Sequence, residues 1–505
     1  MVNEVANLVR IVTSRAIAAS PMLDLKSKQA SKERVFVEML LRVPETTQLQ
    51  LAKGVYGKAT PANLQALQKL QSRVQGKLLN QLYFLDHSDQ RLLVSRRYEL
   101  ECLDLLHKVS ILYAERDFKL AERLLLRCLR LAETGEFTQY IVQLTRMLRN
   151  LYGEQRKPAP YKKMTKRLQQ AQQQLEREDE AEQLQADIQL AVTSTVAARR
   201  KLLAAMPGHL AQLEGLYKRG RSFGTYNALY RARLTYEELQ GDFKQLIRVV
   251  AAAERHLNDG KLNLRRFDLR FNHFMTIYAY LRSRQPVRGL LLAERYIRDF
   301  HPSSNNWFYF QEHHVLLAMH AGRYELAQQL LDKVTKNAAI VGQREAAMQR
   351  WDLYRSYLNF VQPASRVLTA RQRQVAQQML MLPEYSRDKR GHNVAILVLQ
   401  VLHYLRSRNL ELVLLRLERL RKYQQRHLTE ATMLRSRLFL RLLQVIVEKN
   451  FDPQKAAERG QNLLQHLRDT PPPGEAFAEV EIIPYENLWE IVLNLLREGP
   501  PVAIQ

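Results

Sequence analysis

Three groups of residues have types that could carry chemistry, and each fails on spacing. Glu312-His313-His314 with His320 offers a carboxylate and imidazoles to a metal ion. A helical zinc site, however, places its ligands on one face, as His-Glu-x-x-His does, whereas His314 and His320 stand six apart and point to different sides of a helix. Gly54-x-x-Gly57-Lys58 has the composition of a phosphate loop. It is two residues short, carries Ala59 where a magnesium-binding Ser or Thr belongs, and follows no strand. Cys102 and Cys128, the only cysteines, sit in apolar helical surroundings and read as reduced core thiols rather than as a metal pair or a disulfide framework. No nucleophile elbow, dinucleotide fingerprint or paired-cysteine metal spacing occurs. The sequence therefore predicts no catalytic residue, no metal and no cofactor, and a protein that is not an enzyme.

What remains is charge. Lys and Arg number 77 against 51 Asp and Glu, a net charge of +26, which attracts polyanions. Arg416, Arg419, Lys422 and Arg426 advance by three, three and four, so they form one exposed helical stripe opposite a buried one of Val413, Leu414, Leu417 and Leu420. Arg219, Arg221, Arg265 and Arg266 form a second basic group, with Tyr217, Phe223 and Tyr226 close in sequence. On a concave surface these eight cations would hold an acidic peptide or a phosphate backbone; on a convex one they would only aid solubility.

The elements that position them are helices. At 505 residues the chain calls for about three domains or one extended repeat array. Only 18 glycines and 17 prolines interrupt it, and Leu, Gln, Arg and Ala abound, which favours helix and argues for almost no sheet. The longest apolar run, Val394 to Leu402, falls far short of the roughly 20 residues that a bilayer requires. Met1 to Leu25 lacks the uninterrupted apolar core of a secretory signal, so a first structural helix and a cytoplasmic protein are expected.

One short pattern recurs along the chain. Gly322-Arg-Tyr324-Glu-Leu-Ala327 is echoed by Arg116-Asp-Phe118-Lys-Leu-Ala121, by Gly241-Asp-Phe243-Lys-Gln-Leu246, and more loosely at Arg408 and Asn450. Each copy reads as a turn that opens a helix. Gly241 and Gly322 are separated by two units of about 40 residues, Gly322 and Arg408 by two of about 43, and Asn450 follows after one more of similar length; fixed periods of this size mean stacked helix pairs. The pattern resembles the inter-helix turn and second-helix start of tetratricopeptide repeats. Tyr230, eleven residues before Gly241, stands where that family places its first-helix aromatic. Gln311 stands at the equivalent place before Gly322, the Leu-Gly of the first helix is missing, and the period exceeds the family's 34 residues. The resemblance implies an all-α, right-handed α-solenoid of stacked antiparallel hairpins, with Phe118, Ala121, Gly241, Phe243, Gly322, Tyr324 and Ala327 as repeat-structural residues and a protein or peptide bound on the concave face.

Four regions follow. Residues 1–89 form an amino-terminal helical unit, in which Thr60-Pro61 opens a helix with Leu64, Leu67, Leu70, Val74, Leu78 and Leu82 on its buried face. Tyr56 to Leu78 resembles the recognition part of a winged-helix or helix-turn-helix unit, which implies DNA reading. Residues 90–206 hold the first repeats and a long polar helix from Tyr161 to Ala205, and residues 207–469 the central repeats, opened at Pro207-Gly208. Residues 470–505 carry a proline linker and an acidic amphipathic helix around Trp489, expected to cap the last repeat or to dock elsewhere. The leading expectation is a helical-repeat scaffold that binds an acidic partner protein or peptide through a basic surface; the alternative is a nucleic-acid-binding regulator.

Overall fold

A computed structural model of the chain describes residues 23, 31–42, 46–84, 94–362, 390–406, 410–427, 434–472 and 481–497. Among the described residues the regular structure is entirely helical, and no helix is long and apolar enough to cross a membrane. The chain divides into two compact units, Met1–Glu133 with Gln143–Lys166, and Thr134–Val142 with Arg167–Gln505. The expected first helix within residues 1–25 lies, Leu23 apart, outside the described residues, as does the stretch from Ala370 to Leu382, whose sequence also predicts a helix.

The first described helices of the first unit are α1 (Lys32–Arg42), α2 (Gln48–Tyr56) and α3 (Pro61–Gln81). Thr47 closes a capping box with Gln50 at the start of α2, and Thr60 caps α3 with Pro61 in its first turn, so two sets of orphan backbone donors are satisfied locally. Leu67, Leu70 and Val74 of α3 are buried with Phe36 and Leu51. The buried face ends sooner than the pattern predicts, because Leu78 and Leu82 are 40% and 53% exposed. Further helices are α4 (Val94–Ala114), α5 (Phe118–Thr134), α6 (Thr138–Glu154) and α7 (Pro158–Thr193). Tyr152 donates to Glu122 at 3.0 Å and Tyr113 to Glu154, which ties α4, α5 and α6 together. Cys128 Sγ approaches the Cys102 carbonyl at 3.6 Å, and both thiols are fully buried. Neighbouring thiol hydrogen bonding and burial push Cys128 up from its ordinary value, which keeps it unreactive.

The predicted long helix from Tyr161 to Ala205 is in fact two helices. The break comes at Ser194-Thr195, where α8 (Val196–Gly220) starts, and α8 runs on through Pro207-Gly208. The reason is local. Thr193 and Ser194 hydroxyls both donate back to the Leu190 carbonyl, and Thr195 accepts from the Ala198 amide as an N-cap, so this run of hydroxyl residues stops one helix and begins the next. From Arg167 onward α7 packs inside the second unit, with Leu168 and Ala171 against Val142 and with Ala181 and Ile188 in the core of α8 and α9 (Phe223–Gln240), so its polar composition does not make it a free arm.

The other described α-helices of the second unit are α10 (Phe243–Asn258), α11 (Leu269–Arg282), α12 (Pro286–Tyr296), α13 (Asn305–His320), α14 (Tyr324–Lys336), α15 (Glu345–Val361), α16 (Arg390–Arg406), α17 (Leu410–His427), α18 (Leu434–Glu448), α19 (Pro453–Asp469) and α20 (Tyr485–Arg497). Two kinds of helix alternate here. α9, α11, α13 and α18 are buried around most of their circumference, down to Asn272, His273, Gln311 and Ser436. α10, α14 and α19 bury a single stripe, Ala327, Leu330, Leu331 and Val334 in α14 for example. The first kind forms an inner layer, where α11 packs on α13 as well as on its chain neighbours, and the second covers it.

The recurrent pattern is the joint between helices. Arg116, Arg156, Gly241, Gly260, Arg284, Gly322 and Asn450 all have positive φ. After each of them the next amide bonds to the carbonyl five residues back, as Asp242 does to Glu237 and Arg323 to Ala318. This is the left-handed helix stop. Asp117, Asp242 and Asp452 then accept from amides two or three residues on and start the next helix. The residue three beyond the aromatic, Ala121, Leu246 or Ala327, is fully buried in each of the three full copies.

Candidate functional site

The basic residues singled out in the sequence fall in two places. Arg265 and Arg266 lie beside residues 134–137 of the second unit, and Arg219 and Arg221 at the end of α8, which leads to Phe223. Arg266 lies between the rings of Phe137 and Phe223, at 4.8 and 4.9 Å from their centroids, and donates to the Gly135 and Glu136 carbonyls. It is therefore a structural clasp for the chain at Glu136, whose carboxylate also accepts from the Phe223 amide at 2.8 Å. Arg219 folds back on the Gly215 carbonyl at 3.3 Å, Arg221 is the left-handed residue that ends α8, and Arg265 is half-buried with its amide on Asn263. Arg416, Arg419 and Lys422 lie on α17, with Val413 and Leu417 buried beneath; Leu414, expected in that stripe, is 51% exposed. Arg416 rests over the Tyr404 ring and Lys422 pairs with Glu418 at 2.9 Å. The side chain of Arg426 lies outside the described residues. Neither group lines either of the two cavities described below.

Trp489 is 1% exposed and packs beside Leu442 and Gly460. Tyr485, Leu488, Val492, Leu493 and Leu496 of α20 are buried with it. At about 1.5–3 kcal/mol for each fully buried large side chain, lifting α20 off would cost on the order of 10 kcal/mol. Trp489, expected either to cap or to dock, is thus buried against α18 and α19 of its own unit.

Two cavities stand out among the described residues. The first is a cleft of about 210 Å³ between α11, α13, α15 and the residues Pro472, Glu481 and Pro484. His313 and His320, two turns apart, both line it, whereas His314 turns away into the core; the significant spacing is thus His313 to His320. Arg350 grips Glu312 through Nε at 2.6 Å and through a second nitrogen at 3.0 Å, and Tyr354 donates to the same carboxylate at 2.7 Å. Burial pushes the Glu312 carboxyl up, but these bonds outweigh it and hold the group below the usual carboxylate range. Burial lowers both His313 and His320, against a bond to the Tyr309 carbonyl in the first and to the Glu481 carbonyl in the second, so both are neutral at pH 7. Arg435 holds Glu481 at 2.5 Å and Glu486 at 2.9 Å, and Arg284 also pairs with Glu486. Arg282 supplies the field beside Glu238, which accepts from Tyr278 at 2.9 Å. The lining itself holds Arg282, Arg284 and Arg350 with Glu312 and Glu481, while burial pushes the Glu238 carboxyl, outside the lining, up from its ordinary value. The cleft joins the tail to the inner helices. Among the described residues no group of His, Cys, Asp and Glu is arranged to hold a metal ion.

The second cavity is an open groove of about 920 Å³ between the turn after α12 and the exposed side of α14. Ile297, Phe300, Pro302 and the edge of Trp307 form its apolar floor, Arg298 stands on one wall, and Gln329, Lys333 and Lys336 stand on the other. The last three are spaced by four and three, one stripe of α14 opposite Ala327, Leu330, Leu331 and Val334. Asn337 fixes the rim by donating to the Pro302 carbonyl at 2.8 Å and accepting from the Ala339 amide. Asp332, the one carboxylate in the lining, accepts from Gln328. Among the described residues no ion pair engages Arg298, Lys333 or Lys336. Sequence reading missed this groove. The α14 stripe is visible in principle, but Arg298 joins it only through the fold.

Compared with known protein families, curated proteins and solved structures, the chain matches none of them. The functional reading therefore rests on its own residues.

Proposed function

We propose that the protein is a non-enzymatic helical-repeat scaffold, a tetratricopeptide-like α-solenoid that binds a partner protein or peptide through a basic surface. The observation that carries this reading is the repeated joint. Seven left-handed helix stops, at Arg116, Arg156, Gly241, Gly260, Arg284, Gly322 and Asn450, return the chain on itself in the same way, and the inner helices so produced are wrapped by single-stripe ones. Units of that kind bury their apolar faces only against neighbours and leave long surfaces for recognition. In the cavity richest in buried ionisable groups Glu312 is held by Arg350 and Glu481 by Arg435, which fits a structural clasp.

The nucleic-acid alternative draws on the net charge and on α3. Against it, Arg73 and Lys77, two of the basic residues of α3, both pair with Glu33, at 2.8 and 2.9 Å, which lowers the charge that α3 could offer to phosphates.

Two measurements test the proposal. Small-angle scattering should give a radius of gyration well above the roughly 23 Å of a compact globule of this length; a value near that figure rejects the solenoid. Affinity for generic duplex DNA should be weak and non-specific. Tight binding that falls steeply with salt, as release of several counterions demands, would favour the regulator instead.

A further inference from the structure

We propose that the groove between the turn at Arg298 and helix α14 is the binding site for an acidic, apolar-bearing segment of a partner protein. The proposal rests on the scaffold reading and adds to it the place and the chemistry of the ligand.

The groove has cations on both walls. Arg298 faces it from the 3-10 turn Ile297–Asp299, and Lys333 and Lys336 from the exposed side of α14. Around the first cleft arginines are answered by carboxylates: Arg350 by Glu312, and Arg435 by Glu481 and Glu486. Here three cations have no ion pair among the described residues, and the one carboxylate beside them, Asp332, accepts from Gln328. Their number and spacing suit carboxylates presented over about two turns of helix or a few extended residues. Gln329 adds a neutral donor and acceptor at the end of the same stripe.

The floor decides between classes of polyanion. A single-stranded nucleic acid is held by bases stacked on open aromatic faces. Trp307 and Phe300 are only 2% and 5% exposed, so they present edges and a shallow apolar well. Ile297 and Pro302 complete that well. It accepts an aliphatic side chain between two acidic ones. A duplex, in turn, needs cations that track phosphates along a broad surface, and this set is confined to one groove.

The test uses the full chain and a labelled peptide that alternates glutamate with leucine, alongside a labelled oligonucleotide of equal charge, followed by fluorescence anisotropy. The variant R298E/K333E/K336E changes exposed side chains only, and circular dichroism and thermal unfolding should match the parent. The control R419E/K422E reverses the same kind of charge on α17. Expected are peptide binding by the parent, binding weakened about tenfold or more in the groove variant, and little change in the control. Equal peptide affinity in parent and groove variant, no peptide binding by the parent, or an oligonucleotide bound more tightly through these same residues would overturn the assignment. Binding lost only in the α17 control rejects the groove while leaving the scaffold reading in place, and scattering that shows a compact globule rejects the scaffold reading whatever the peptide does.

Discussion

Arg435, 2% exposed, holds Glu486 at 2.9 Å from inside the core while its other nitrogens take Glu481 and the carbonyls of Leu467 and Thr470. One guanidinium thus fixes the end of α19, the segment before α20 and the first turn of α20. Burial works against its charge, but the two carboxylates outweigh that and raise its pKa above the ordinary value.

Removing that guanidinium should be strongly destabilising. Arg435→Ala strands two poorly exposed carboxylates, of which only Glu486 retains a second cation, Arg284. Loss of one partner from a buried pair typically destabilises by about 3–5 kcal/mol. Urea unfolding should show a loss in that range at neutral pH; one below about 1 kcal/mol would mean that the clasp is incidental.

The joints give a prediction of opposite signs. Gly322 has φ +70 and only open space where the methyl of an alanine would stand, so strain rather than collision opposes a side chain there. Gly322→Ala should destabilise by about 1 kcal/mol, and Arg116→Gly, at φ 59, should stabilise by a few tenths to about 1 kcal/mol, because relief of left-handed strain is offset by added chain entropy. Thermal unfolding of both variants checks the pair. Equal signs would show that the joints are not governed by backbone strain.

The same joints explain what could be read in advance. Asp117 and Asp242 follow left-handed residues and cap the next helix, and that chemistry is local, so Arg-Asp-Phe and Gly-Asp-Phe announce a turn and a helix start without knowledge of the fold. The stripe Ala327, Leu330, Leu331 and Val334 is local too. Contacts between distant residues are not. Nothing near His320 shows that its ring will meet the Glu481 carbonyl 161 residues later, and nothing near Lys333 shows that Arg298 will stand across from it. The break at Ser194-Thr195 lies between these cases. Its hydroxyls are legible in the sequence, but Pro207-Gly208 is the stronger breaker on propensity alone, and the structure overrides it.

A pH dependence follows from His314. It is 3% exposed, and neither ring nitrogen has a hydrogen-bond partner among the described residues. Burial, with a smaller push from Lys333, lowers its pKa to about 4. The unfolded chain takes up this proton near pH 6.5, whereas the folded one resists it until about 4, so stability is full above the upper value and falls as pH drops between them. The loss is on the order of 3 kcal/mol. His314→Leu should remove that part of the acid sensitivity and, by deleting two unsatisfied nitrogens, should not weaken the fold at pH 7. Urea titrations at neutral pH and near pH 4.5 decide it: an unchanged difference between the two pH values in the variant would rule His314 out as its source.

Truncation after Asp469 separates a cap from a detachable arm. It removes Glu481 and Glu486, which leaves Arg435 without its carboxylates, and it uncovers Leu442 and Gly460 where Trp489 now sits. The apolar burial alone is on the order of 10 kcal/mol, as large as the stability of many whole domains. The shortened chain should therefore lose cooperative unfolding in its C-terminal helices, with amide exchange in α18 and α19 rising steeply, rather than become a folded protein with one fewer partner. Trp489→Ala is the milder version, expected to destabilise by about 3–5 kcal/mol. Native-like exchange protection of α18 in the truncated chain would show that α20 is held weakly and that the clasp at Arg435 does not need it.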